Sequence, residues 1–346
     1  MGLIRLLLAF AVVFSHSASF PLTGTHFVGG RTAVEAFFLI SGFYMALVLE
    51  TKYAGRTRTF YRNRFLRIYP TYWAALALAL VVGFVIPSQN RIVALLSSSL
   101  SWSTVALLLG ANLFIFGSDA IMFLSSNAHG LYLTAHFRDV TPALYQFLYI
   151  EQAWTLPVEL TFYLLAPFVV RRPRVLVTLV VASCLIKVTT YHVFGGTDPW
   201  TYRFFPSELG LFCAGALVYH AYARLQTRRD LARWGVPCLA VMVLFTLYYE
   251  RIPLPTELMV YAYIAALGFS IPPIFERFKR SRIDRELGEL SYPIYVSHVI
   301  VIQSVMASPL NIHGLRTISI LVCTVVTAVV LDRLVSRPVE ARFKTP

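Results

Sequence analysis

Residues 33–87 read AVEAFFLISGFYMALVLETKYAGRTRTFYRNRFLRIYPTYWAALALALVVGFVIP. An apolar run, 33–50, gives way to a polar stretch carrying Lys52, Arg56, Arg58, Arg62, Arg64 and Arg67, and a second apolar run, 71–87, follows. Each run approaches the roughly 20 residues that a helix needs to cross a bilayer. Lipid offers no hydrogen bonds to a bare backbone, so such runs must be helices. Cations confined to the connection mark it as the cytoplasmic side.

The same alternation organises the whole chain. Further apolar runs lie near 3–20, 154–170, 174–194, 204–223, 234–250, 257–275, 289–307 and 314–333, about ten spans in all. Of the 30 Lys and Arg, 23 fall on one side: Arg5, the six above, Arg171, Arg172 and Arg174, then Arg224, Arg228, Arg229 and Arg233, then Arg277, Lys279, Arg280, Arg282 and Arg285, and finally Arg333, Arg337, Arg342 and Lys344. The exceptions are Arg31, Arg91, Arg138, Lys187, Arg203, Arg251 and Arg316. The expected fold is all-α: one membrane-embedded domain over 1–346, a polytopic bundle with both termini cytoplasmic. Residues 88–153 must cross an even number of times. They are expected to form an outward-facing or re-entrant segment, with 92–117 re-entrant, interfacial or split into a hairpin by its serines at 97–99, 101 and 103. That segment also holds Asp119, His129, His136, Arg138, Asp139 and Glu151, either a solvated loop or polar groups suited to a hydrophilic ligand.

Composition agrees. Of 346 residues, 57% are hydrophobic and 14% charged, and the mean hydropathy is +0.66. Ordinary globular domains carry roughly a quarter charged residues, so soluble, disordered and disulfide-rich secreted classes are excluded. The net charge of +13 is spread in short clusters rather than one patch, which argues against nucleic acid. Cys184, Cys213, Cys238 and Cys323 lie in or beside apolar runs without metal-ligand spacing, and neither a disulfide framework nor a metal site is expected. Arg5, the first apolar run and Ser17-Ala18-Ser19 resemble a signal peptide, but a single cation makes cleavage unexpected.

Ionisable groups inside spans point to function. Arg5 and His16 share one face of the first helix, roughly 16 Å apart along its axis. They could line one channel, a cation for an anionic donor at one end and a base further in; alternatively, His16 is a core histidine. Glu35 could approach His16 and fix its tautomer, or simply sit at a helix N-terminus where the dipole favours it. Glu159 lies inside AWTLPVELTFYLLAP, where facing lipid would cost roughly 3 kcal/mol. It should therefore face the interior, as an arginine's partner or as part of the site. Arg64 and Arg67, one turn apart, could grip a phosphate or only face anionic headgroups. His298, with Tyr292 and Tyr295, makes a polar seam or packs a helix pair.

Together these elements resemble the acyltransferase-3 family of bacterial membrane O-acyltransferases, over nearly the whole chain. The resemblance rests on Arg5 and His16 with ten residues between them, VEAFFLISGF (34–43), RNRFLRIYPTYW (62–73), WTLPVELTFY (154–163) and LGELSYPIYVSH (287–298), in that order. At one place the chain departs: the family often has Glu before its final basic-Pro pair, whereas Ser336 precedes Arg337-Pro338 and Glu340 follows. With the chain ending at Pro346, no esterase-like domain is expected.

The resemblance implies a cytoplasmic acyl-CoA donor, acetyl-CoA by default, used as co-substrate with no permanently bound cofactor. The acyl group would pass to a hydroxyl of a carbohydrate or glycan, at the cell surface or on an exopolysaccharide, from a bacterial inner-membrane enzyme. His16 would be the base or carry the acyl group, Glu35 would orient it, and Arg5, Arg64 and Arg67 would bind donor phosphates. Glu159, Tyr292 and His298 would support the site. A glycan transporter or flippase also fits ten helices with buried charges, but inverted repeats and paired broken helices are not visible. A membrane acyltransferase with a single His in a long apolar run lacks the two arginine-containing pairs. The His-x4-Asp pattern of glycerolipid acyltransferases is unsupported, since His136 and Asp139 have the wrong spacing.

Overall fold

The computed structural model describes residues 1–127, 130–227, 230–312 and 314–343. His129, Arg228, Arg229 and Lys344, counted above among the polar groups and cations, lie outside the described residues. Each of the ten apolar runs contains a helix: α1 Gly2–His16, α2 Gly29–Thr51, α3 Thr57–Val85, α6 Thr155–Val169, α7 Pro173–Phe194, α8 Phe205–Leu225, α9 Gly235–Tyr248, α10 Thr256–Phe278, α11 Arg282–Met306 and α12 Arg316–Leu331. A short α13, Arg337–Phe343, follows a π-turn at Asp332–Ser336. Among the described residues, six helical segments are long and apolar enough to cross a membrane: Gly29–Thr51, Thr57–Val85, Pro173–Phe194, Leu231–Arg251, Thr256–Phe278 and Arg316–Phe343. The 15-residue α1 and α6 would extend only about 22 Å each.

Two helices start well before their apolar runs, by about two turns or more. α3 begins at Thr57, so Arg64 and Arg67 stand on a helix rather than in a loop, and α11 begins at Arg282, so Asp284 stands in its first turn and pairs with the Met1 amino group. The centre is assembled by close helix contacts. A Cβ added to Gly42 on α2 would lie 1.9 Å from Phe212 O on α8, and one on Gly215 would lie 1.9 Å from Leu39 O. Small residues let these two backbones touch, as in membrane helix pairs generally. α1 is wedged between α2 and α11, with Gly2 against Asp284 and Gly288.

Residues 88–153 are irregular. The serine-rich run breaks into α4, Arg91–Leu96, and α5, Trp102–Phe114. Ser97 and Ser98 donate back to Val93 O and Leu95 O, and Ser101 caps the start of α5. These are the local bonds that make serine a helix breaker. The end of α5 lies beside the middle of α3. There Tyr72 Oη donates to Asn112 O at 2.7 Å, Trp73 Nε1 to Leu113 O at 2.9 Å and Tyr69 Oη to Phe114 O at 2.8 Å. Three aromatic donors thus satisfy carbonyls that a helix end leaves open. A β-hairpin, β1 Leu124–Asn127 with β2 Gly130–Leu133, follows; no such element was expected from the sequence.

Candidate active site

A cavity of about 410 Å³ opens among α1, α2, α3, α6, α10 and α11. Its α2 wall runs from Val34 to Val48, fourteen residues or about 21 Å along the helix. Met1, Lys279, Asp284 and Arg285 line the basic end; Val34, Thr155, Leu156 and Tyr295 line the deep end. Its volume falls in the usual small-molecule range of roughly 300–1,000 Å³.

Of the residues singled out by sequence, this cavity collects Arg5, Arg64, Arg67, Glu159, Tyr292 and Tyr295. Arg5 is held by a 2.9 Å hydrogen bond from its guanidinium to Ser291 Oγ. Arg64 stands over the Phe60 ring, its buried Nε without a partner among the described residues. Arg67 reaches Glu340 at 3.4 Å, so the acidic residue that departs from the family pattern supplies its counter-ion. Ser336 bonds Thr71 at 2.7 Å, and these tail residues line a second cavity of about 220 Å³ that shares Arg67, Glu289 and Tyr292 with the first. Glu159 accepts hydrogen bonds from Ser41 and Tyr163, which anchors its carboxylate toward the interior. Tyr292 Oη donates to Ile68 O at 2.8 Å and ties α11 to α3.

His16 does not line the cavity. It sits exposed at the far end of α1, and its ring meets that of His298 edge-on at 5.0 Å. His298 is fully buried and lies 5.9 Å from the ring of Tyr295, which does line the deep end. A layer of Tyr295 and His298 therefore separates the arginine-lined cavity from His16. Tyr295 is fixed there: its hydroxyl donates to Gln152 O at 2.6 Å and receives the Thr155 hydroxyl at 2.8 Å.

Both imidazoles have their tautomers set by backbone. His16 Nδ1 lies 2.9 Å from Val12 O, and His298 Nδ1 lies 2.7 Å from Tyr295 O. A carbonyl only accepts, so in the neutral ring each Nδ1 carries the proton and each Nε2 the basic lone pair.

The structure corrects the expected pairing of Glu35 with His16. Glu35 turns to Lys187, whose Nζ lies 3.2 Å away, and to Arg31 at 3.5 Å; Lys187 also holds Glu208 at 3.0 Å. A carboxylate that is 2% exposed takes a full cation in preference to a neutral ring, because an unpaired charge there is costly. Lys187 was visible in the sequence as an exception to the charge bias within an apolar run. Gln152 and Thr155, which fix Tyr295, gave no such signal, since neutral polar residues near a helix start are common. Lys279 and Arg285 counted only as topological cations until the fold turned them into the cavity.

A family model described as an acyltransferase domain matches residues 1–333. No curated protein and no solved structure matches the chain. With its apolar helices and cation-lined cavity, the chain belongs to the acyltransferase-3 family and is an integral-membrane acyltransferase.

Proposed function

We propose that the protein transfers an acyl group, acetyl in the simplest case, from acyl-CoA to a hydroxyl of a carbohydrate or glycan. In this reading the bundle has ten spans and cytoplasmic termini and sits in a bacterial inner membrane, with the basic mouth facing acyl-CoA. The observation that carries it is the alignment of a cavity bearing Arg5, Arg64 and Arg67, with Tyr295 at its deep end, and His298 and His16 beyond. Guanidiniums are suited to donor phosphates through charge-assisted hydrogen bonds, and the apolar walls suit the pantetheine arm. The acceptor approaches from the opposite face, where His16 is exposed.

His16 Nε2 takes the proton from the acceptor hydroxyl as its oxygen attacks the thioester carbon, a step in which the Tyr295–His298 layer opens to admit the acyl end of the donor. The tetrahedral intermediate collapses by breaking the C–S bond; the ester forms, the thiolate leaves and is protonated from solvent at the basic mouth, and the His16 imidazolium returns its proton to solvent on the opposite face. A thioester is already activated, so positioning and exclusion of water are the main demands on the protein. Glu159 and Tyr292 hold the cavity walls. Glu35 contributes to the fold through Lys187.

Protein purified in detergent, given acetyl-CoA and a glycan acceptor, is expected to release CoA and form an ester. His16→Ala should lower turnover by about 10²–10⁴-fold while leaving CoA binding intact. Turnover indifferent to that substitution would remove His16 from the chemistry. Glycan movement without thioester consumption would replace acyl transfer by transport.

A further inference from the structure

The layer between cavity and His16 contains two buried acceptors that the mechanism above does not use. Gln152 Nε2 donates to Val296 O at 2.9 Å and to Tyr295 O at 3.3 Å. Those two carbonyls dictate the amide's orientation, because only the NH₂ side can face them. Its Oε1 therefore points elsewhere, buried and without a partner among the described residues. His298 Nδ1 approaches the same Tyr295 O at 2.7 Å, and its Nε2 is likewise buried and unpartnered. One carbonyl oxygen thus gathers two side chains whose remaining polar atoms are both acceptors. His298 is 0% and Gln152 3% exposed, and a buried acceptor without a donor is unfavourable. What the pair lacks is O–H or N–H groups, and the adjacent ring of His16 opens to the exterior.

We propose that Gln152 Oε1 and His298 Nε2 form the hydroxyl-binding subsite for the acceptor, receiving O–H groups of a polyol or sugar ring beside His16. The proposal rests on the acyl-transfer reading and names the acceptor's recognition elements. The hydroxyl that reacts is presented to His16 Nε2, while a neighbouring hydroxyl of the same ring donates to Gln152 or His298. Neither residue gains or loses a covalent bond; both are positioning residues. The selected chemistry is an acceptor with at least two hydroxyls, in preference to an amine cation, since two neutral acceptors supply no counter-charge.

The test uses the full chain in nanodiscs with ¹⁵N-labelled histidine rings and methyl α-D-glucopyranoside as probe. The His298 Nε2 resonance is assigned by its loss in His298→Gln. We expect the sugar to move it upfield saturably, as accepting a hydrogen bond does, and Gln152→Leu to weaken that response about tenfold. In turnover with acetyl-CoA, Gln152→Leu should raise the sugar's KM by a similar factor and leave the acetyl-CoA KM within about twofold. A resonance unmoved by sugar in the unmutated protein overturns the subsite and leaves water as its occupant, whether or not the variant folds. Equal rises in both KM values also overturn it. A sugar-dependent shift in a protein that releases no CoA would instead retain the subsite and refute acyl transfer.

Discussion

Lys187→Met tests the buried charge cluster most directly. Lys187 Nζ lies 3.0 Å from Glu208 Oε1 and 3.2 Å from Glu35 Oε1, and the two carboxylates are 0% and 2% exposed. Without the lysine, Glu35 keeps Arg31 at 3.5 Å, but Glu208 loses the one cation it pairs with among the described residues, and its Oε2 already lacks a partner. Removing one member of a buried pair costs about 3–5 kcal/mol. Methionine roughly preserves the stem's volume, so the loss is electrostatic. Glu208→Gln removes the stranded charge instead and leaves Lys187 paired with Glu35, for a cost near 1–3 kcal/mol. The double variant should be less destabilised than the sum of the two single variants, with a coupling of about 1–3 kcal/mol. Reversible unfolding in mixed micelles, followed by tryptophan fluorescence, measures all four corners of this cycle. The reasoning is refuted if Lys187→Met lies within about 1 kcal/mol of the unmutated protein, or if the two substitutions simply add.

Arg64→Ala and Arg67→Ala should each raise the acyl-CoA KM by about 10–100-fold through loss of charged hydrogen bonds, with the acceptor KM unchanged; unaltered donor affinity would return these arginines to topology alone. Tyr72→Phe leaves Asn112 O without its 2.7 Å donor, and is expected to destabilise α5 against α3 by about 1–3 kcal/mol, read as faster hydrogen exchange at 102–114. Gly215→Ala places a Cβ 1.9 Å from Leu39 O and should cost at least about 1–3 kcal/mol in thermal unfolding; an unshifted melt would contradict the close packing of α2 and α8.

The apolar runs alone specified an all-helical membrane protein, because an unsolvated backbone admits few other structures. The ordered motifs placed Arg5, Arg64, Arg67 and Glu159, four residues that line one cavity. Spacing along one helix is readable in sequence, and the one-turn step from Arg64 to Arg67 survives in α3. Partnerships between helices are not. Glu35 reads equally well as a neighbour of His16 or of any buried cation. Only the packing of α7 on α8 and of α8 on α2 gives it to Lys187. The same holds for the layer between cavity and exterior. Gln152 lies more than 140 residues from Tyr295 and His298, and its hydrogen bonds to α11 arise only when that helix docks. Local sequence dictates which residues can be helical and buried, since that depends on each run's own polarity and length. Which polar side chains meet is decided by helix placement, because a side chain's partner is set by distances in space that no single run encodes.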